Sequence, residues 1–590
     1  NKMMAELCGR ATGYCRGRGG SMHIADVEKG NLGATGIVGG NIPVATGAGL
    51  AQKMQGSDRV VICFFGDGAS NTGNFHESLN MAGLWDLPVV YIIENNLYGM
   101  SVPLDKACAQ LNLADRSCAY GIPGEVVDGM DVMAVREAVQ KAIERARRGE
   151  GPSLIEAQAY RWYGHSRSDP RAYRTKEEEA AWKSRDPIPN FAALLVEQGI
   201  ATQEEIDALE VMVEEEIETA TEFALASPTP PVEELERYVY TDFKWTAADI
   251  ARERELRQRI RSGGPNTRKI EYRQAIQEAL REEMTRDPSV FVMGEDIGLY
   301  GGAYGATKGL FDEFGEERVR DTPISEATIG GAAVGAAMAG MRPVAEIMYV
   351  DFTPLAMDQI ANQGAKNRYM FGGKTIVPMV LRTEGGAGRS IAAHHSQSLE
   401  ALWTHFPGIY VVMPSTPYDA KGLLKAAIRD DNPVMFIEHK MLYGNKGYVP
   451  DEDYIIPYGV ADVKREGSDV TVITYSRMVH RALEAAEKLA GEGISVEVID
   501  LRTLKPLDME TISASVHKTG RVVGVTEAYK TGSFISELAM CIQEELFDWL
   551  DAPVTRVCAA DVPVPMSEPL EDAAIPSVDR IIAGIRQALR

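Results

Sequence analysis

In the first 226 positions, short apolar runs are separated by longer amphipathic stretches. Residues 60–65 (VVICFF), 89–94 (VVYIIE) and 153–157 (SLIEA) are continuous apolar or β-branched runs rather than alternating ones, the pattern of strands buried on both faces. Residues 131–148 (DVMAVREAVQKAIERARR) space their apolar positions three and four apart and predict an amphipathic helix between two of those strands. Strand–helix alternation of this kind implies an open parallel sheet covered by helices on both faces.

Residues 227–232 (SPTPPV) break the pattern. A charged stretch at 249–261 follows, and Ser-Gly-Gly-Pro-Asn at 262–266 ends it. Residues 227–267 therefore read as a linker, part loop and part exposed helix. Alternation then resumes: 269–285 predicts a helix, 290–293 a strand, and 329–340 (IGGAAVGAAMAG) a small-residue helix that must pack very closely. Residues 377–381, 410–413 and 434–437 predict further strands. A third region, 456–590, alternates through 469–474, 495–501 and 521–526 to a final helix at 578–589. The expectation is an α/β chain of three successive open parallel-sheet units, spanning 1–226, 268–455 and 456–590.

With 590 residues the chain is too long for one core. Its composition, 45% hydrophobic and 25% charged, is that of a globular protein. A net charge of −24 argues against a nucleic-acid or anionic-membrane surface and suits solubility or docking of a basic partner. No run reaches the ~20 apolar residues that would span a bilayer. The first residues, Asn-Lys-Met-Met-Ala-Glu, show neither a signal-peptide pattern nor an obvious start, as if a segment preceded them. Seven scattered cysteines without a CxxC pair fit reduced thiols in the cytoplasm rather than a zinc site or a disulfide framework.

The most specific local signal is Gly66-Asp67-Gly68-Ala69 after the strand ending at Phe65, followed one strand–helix–strand later by Glu94-Asn95-Asn96-Leu97-Tyr98. Both fall at carboxyl ends of predicted parallel strands, where open α/β sheets bind ligands. Gly66 and Gly68 allow close backbone approach to a phosphate, and Asp67 and Asn96 offer the hard oxygens that suit magnesium on a diphosphate. Gly-Asp-Gly alone is also an ordinary turn; the pairing with Asn96 is what gives it weight.

The stretch GDGASNTGNFHESLNMAGLWDLPVVYIIENNLYGMS (66–101) resembles, without a gap, the thiamine-diphosphate motif of alpha subunits of 2-oxo acid dehydrogenases, and 17–49 is similar to the same subunits. Residues 268–443 resemble the beta subunit of these enzymes, and 456–590 its transketolase-like C-terminal domain. The resemblance implies the thiamine-diphosphate-binding (transketolase-like) fold, with alpha and beta subunits fused in one chain. It implies magnesium held by Asp67, Asn96 and the carbonyl of Tyr98. It also implies that Gly36 and Val38 touch the aminopyrimidine, and that Arg161 lies near the site.

Thiamine chemistry needs a carboxylate against the pyrimidine ring, and in ISEATIGG the resemblance assigns this to Glu326, with Glu295 and Phe352 also approaching the cofactor. His395 matches a histidine that assists substrate handling and transfer to the lipoyl group, and His23 and His165 match alpha-subunit active-site histidines. Histidine suits such roles because it exchanges protons near neutrality. The loop 166–174 resembles one that becomes ordered on cofactor binding, and Ser166 and Ser168 stand where some relatives are phosphorylated.

The implied activity is the first component of an acetoin or 2-oxo acid dehydrogenase complex. It would cleave acetoin, or decarboxylate pyruvate, and pass an acetyl group to lipoamide on an acyltransferase core. Segments such as MDQIANQGAKNRYMFGG favour acetoin, with pyruvate close behind. A cofactor bridging alpha-like and beta-like regions implies a homodimer as the minimum unit. Two competing readings are a transketolase-type enzyme acting on sugar phosphates and a non-catalytic docking scaffold. A nicotinamide oxidoreductase has no GxGxxG to support it.

Overall fold

The computed structural model describes residues 1–590, and their contacts gather into two compact bodies. The first comprises Asn1–Val239, Gly330–Gly340 and Asp358–Ile376; the second comprises Tyr240–Ile329, Met341–Met357 and Val377–Arg590. No helix is long and apolar enough to cross a membrane.

The first body is built on a four-stranded, wholly parallel sheet in the order Val61–Gly66, Val89–Asn95, Ser153–Gln158, Gly124–Asp128. The predicted helix appears as Val132–Arg147, its first turn capped by the Asp131 carboxylate, which accepts from Met133 and Ala134. The small-residue helix, expected from 329, begins earlier and spans Glu326–Met338. In the first body its glycines meet the helix Asn41–Met54. A Cβ on Gly335 would lie 1.8 Å from the Val44 carbonyl oxygen, and one on Gly47 would lie 2.0 Å from that of Ala332. Only glycine permits such backbone contact.

The second body holds two large sheets and a two-stranded one. Seven strands run in the order Thr503–Lys505, Tyr410–Val412, Val434–His439, Val380–Gly385, Arg342–Tyr349, Val290–Gly294, Val319–Asp321. Five run in the order Asp462–Arg465, Val496–Asp500, Val470–Thr474, Val522–Tyr529, Thr555–Ala559. In the two large sheets all neighbours pair parallel except two antiparallel edges, Thr503–Lys505 and Asp462–Arg465. The chain is therefore an α/β protein of mainly parallel sheets, and Thr503–Lys505 leaves the C-terminal region to join the larger sheet.

Three local expectations are corrected. Residues 269–271 are not helical: Thr267–Glu271 is a strand paired antiparallel with Lys446–Pro450, and the helix is Tyr272–Arg286. The strand expected at 377–381 is Val380–Gly385. The helix Ala247–Arg261, expected to be exposed, buries Glu253 and Leu256. Its anchor is ionic. The fully buried Arg502 pairs with Glu253 at 2.8 Å, with Asp419 at 2.9 Å and with Asp462 at 3.4 Å, while Arg257 reaches Asp462 at 3.1 Å. A buried carboxylate paired this way leaves no apolar stripe for periodicity to reveal.

Candidate functional site

In the first body, Gly66 pairs with Glu94 in the sheet register, so the two motif strands end side by side. Beyond them, Asp67–Asn71 turns as a short 3-10 helix. The Ser70 hydroxyl donates to the Asp67 carbonyl at 2.7 Å, and the Thr72 hydroxyl donates to that of Ala69 at 2.8 Å. The partner loop turns sharply, with Leu97 and Met100 both at positive φ. Gly68 faces Gly99 so closely that an added Cβ would be 3.5 Å from its Cα. These features bring Asp67, Gly68, Asn96 and Tyr98 together.

The two asparagines have different work. Asn95 is buried, donates to Glu156 at 2.7 Å and accepts from the Leu97 N–H at 3.1 Å, which uses its side chain to hold the turn. Asn96 Oδ1 is buried and has no hydrogen-bond partner, and neither has Asp67 Oδ2. Burial pushes the Asp67 carboxyl above its ordinary range, against the backbone N–H groups of Asp67, Gly68 and Asn96 and the Arg161 guanidinium, which lower it. Two orphaned hard oxygens on adjacent loops are what a magnesium ion would satisfy. No cluster of three or more His, Cys, Asp or Glu exists that could hold a metal, so amide and carbonyl oxygens would complete the set. Arg161 donates to the Met100 carbonyl at 2.7 Å and the Tyr173 hydroxyl at 2.8 Å, bracing the same loop.

His23 lies beside Gly36, where an added Cβ would be 3.4 Å from its Cε1, and its Nδ1 lies 3.4 Å from the Ala34 carbonyl. Val38 is exposed. His165 sits on an exposed loop and its ring makes no hydrogen bond; its backbone N–H donates to Asp169 at 2.7 Å. Asp169 also accepts from the Tyr173 hydroxyl at 2.6 Å, and these bonds hold its carboxyl at about 2. Ser166 and Ser168 face each other across 3.3 Å on this loop.

One residue with no signal in the sequence organises this half. Glu6 is fully buried, and its carboxylate accepts from the N–H groups of Cys15 (2.8 Å), Gly17 (2.9 Å), Gly19 (2.9 Å) and Gly20 (3.1 Å). The Cys15 thiol in turn donates to the His23 carbonyl at 3.3 Å. Glu6→Ala strands four N–H donors and is expected to destabilise the chain by about 3 kcal/mol or more. Chemical denaturation reads the loss, and a change under about 1 kcal/mol would show the loop holds without Glu6.

In the second body, Glu326 opens its helix, and Glu295 follows the strand Val290–Gly294. Burial first, then the neighbouring Glu326, Asp296 and Glu346 carboxyls, push Glu295 up to about 7, and its Oε1 is buried without a partner. His395 stands edge-on to Tyr349 at 4.9 Å and to Phe352 at 5.5 Å, with Phe352 against Tyr349 at 5.3 Å. Glu295 and Glu326 thus form one neighbourhood in this body, and Phe352 and His395 a second.

Comparison with known proteins adds three family matches. Residues 1–233 match the dehydrogenase E1 component, 268–446 the pyrimidine-binding domain of transketolase, and 459–581 the transketolase C-terminal domain. The beta subunit of acetoin:2,6-dichlorophenolindophenol oxidoreductase from Cupriavidus necator is 51% identical over 333 residues, covering 55% of this chain and 98% of its own. The beta subunit of 2-oxoisovalerate dehydrogenase from Bacillus subtilis is 51% identical over 321 residues, covering 54% and 98%. Subunit beta-2 of the mitochondrial pyruvate dehydrogenase E1 component from Oryza sativa subsp. japonica is 48% identical over 325 residues, covering 54% and 86%. A solved split-gene transketolase, an inactive beta4 tetramer, aligns at 27% identity over 54% of this chain and 98% of its own, with a TM-score of 0.45 that is too low to bear on the site. The chain belongs to the thiamine-diphosphate-dependent dehydrogenase E1 components, with counterparts of the alpha and beta subunits fused in one polypeptide.

Proposed function

We propose that this enzyme cleaves acetoin, with pyruvate as the second substrate to test, and passes the acetyl group reductively to the lipoyl arm of an acyltransferase core. The observation that carries an active rather than a scaffolding role is the pair of orphaned, buried oxygens on Asp67 and Asn96. A scaffold would gain nothing from two unsatisfied polar atoms, each of which costs about 1–3 kcal/mol. Acetoin is favoured by the wording of the alpha-like and beta-like segments, and it is the substrate in the name of one relative at 51% identity. The 2-oxoisovalerate enzyme, at the same identity, makes a branched 2-oxo acid the alternative.

Thiamine diphosphate, when bound, would supply a carbon nucleophile for a carbonyl and a cationic ring as the sink for the electron pair of the neighbouring C–C bond. Asp67, Asn96 and the Tyr98 carbonyl would hold magnesium, and Gly66, Gly68 and Ala69 would leave room for the diphosphate. Arg161 would keep the Met100 loop in place beside it. Gly36, Val38 and Phe352 would touch the cofactor. Glu326 would exchange a proton with the pyrimidine ring, and beside it burial and the neighbouring carboxyls push the Glu295 carboxyl up to about 7. His23, His165 and His395 would exchange protons with substrate and acceptor. One cofactor needs both sets of residues, and a homodimer, counterpart of an alpha2-beta2 tetramer, is the assembly proposed. A cytoplasmic setting agrees with seven cysteines that form no disulfide.

The deciding assay supplies the full chain with thiamine diphosphate, magnesium and dichlorophenolindophenol, and compares acetoin, pyruvate and 3-methyl-2-oxobutanoate. Acetoin is expected to give the highest kcat/KM. A sugar phosphate turned over faster than all three would return the chain to transketolase-type chemistry.

A further inference from the structure

Two buried carboxylates of the C-terminal region, 456–590, grip the loop that carries His395. This loop follows the strand Val380–Gly385 and has an improbable backbone: Gly386, Gly388, Ser390 and Ala392 all adopt positive φ, two of them without glycine's freedom. Such conformations persist only where the surroundings over-determine them.

Those surroundings are specific. Glu571, 2% exposed on the helix Glu568–Ala574, accepts from the Gly388 N–H at 2.8 Å, the Ser390 N–H at 3.0 Å and the Ser390 hydroxyl at 3.3 Å. Glu527 accepts from the Ala387 N–H at 2.6 Å, and Arg477 donates to the Ala387 carbonyl at 2.9 Å. Ala387 itself packs with Val564 and Ile575. At the far limb, the ammonium of the buried Lys440 donates to the His395 carbonyl. The histidine is thus anchored at both limbs of its loop, and the near limb rests on the C-terminal region.

We propose that Glu571 is a positioning residue for His395, so that the C-terminal region takes part in acyl transfer through the backbone of this loop. The inference rests on the role given to His395 above. Gly388 and Ser390 use different oxygens of this carboxylate, so Glu571→Gln keeps the shape but turns an amide N–H₂ toward one of the two sets of donors, releasing the loop at either Gly388 or Ser390. Glu571→Asp keeps the buried charge and shortens its reach, which guards against a variant that merely fails to fold.

The test uses the full chain with thiamine diphosphate and magnesium, and measures kcat and KM with two acceptors, dichlorophenolindophenol and a lipoylated domain. Glu571→Gln is expected to lower kcat with the lipoyl acceptor about tenfold or more, and Glu571→Asp about threefold or more. Dye-linked kcat and the substrate KM should stay within about twofold in both. His395→Ala should lose lipoyl transfer at least as severely as Glu571→Gln. Equal losses with both acceptors would mean Glu571 only supports the fold, and no loss with either would mean the loop stands without it; each overturns the inference. A His395→Ala enzyme with normal lipoyl transfer would instead overturn the reading of His395, and this inference with it.

Discussion

Asp67→Ala should weaken magnesium-dependent binding of thiamine diphosphate by at least about a hundredfold while leaving the stability of the cofactor-free chain within about 1 kcal/mol of the parent. Two terms nearly cancel in the free protein. Alanine removes a buried carboxylate whose Oδ2 has no partner, which favours the fold, and it also removes the acceptor for the Gly68 and Asn96 N–H groups, which opposes it. The bound form has no such compensation, because a metal ligand is lost outright. Calorimetry gives the affinity directly. Thermal denaturation gives it again through linkage, since ligand at a hundred times its Kd stabilises by about 2.7 kcal/mol in the parent and should add almost nothing in the variant. An unchanged Kd would remove Asp67 from the metal site and leave the two orphaned oxygens without an explanation.

Glu326→Gln is the complementary case. Cofactor affinity should stay within about threefold, because neither the metal nor the diphosphate involves this side chain, while turnover falls about 10²–10⁴-fold for want of a transferable proton. Near-normal turnover would sink the assignment. A second readout follows from Glu295. In the folded chain it keeps its proton to about pH 7, whereas the unfolded chain releases it near the ordinary 4.5. Its contribution therefore favours the fold at acid pH and fades as pH rises through that window. Removing the Glu326 charge takes away one of the neighbours that raise it, so the decline in stability between those values should be shallower in Glu326→Gln. A curve parallel to the parent's would show the two carboxyls do not interact.

Candidate chemistry that depends on residue type within a motif can be proposed without coordinates. Asp67 and Asn96 stand after buried strands whose uninterrupted apolar runs leave little doubt about where the chain turns, and the strand at 61–66 differs from its expected bounds by one residue. What periodicity misread was the ionic interior. The helix Ala247–Arg261 carries almost no apolar stripe because Glu253 is buried against Arg502, and charged sequence looks solvated whether water or an arginine surrounds it. Residues 269–271 read as helix because the partner of their strand, Lys446–Pro450, lies far along the chain.

The same distance explains Glu6, Glu571 and Lys440. Each acts on a backbone N–H or carbonyl, and a backbone group has no residue-specific signature to match. By itself the sequence determined the α/β class and the family, and it nominated the side chains proposed to bind metal and hold a proton, since these follow from local hydrophobic pattern and motif identity. Only the tertiary structure decided that Asn95 holds a turn while Asn96 is left free, and which buried charges clamp the loops of His23 and His395. Hydrogen bonds between a side chain and a remote backbone depend on how the chain closes on itself, and local order does not record that.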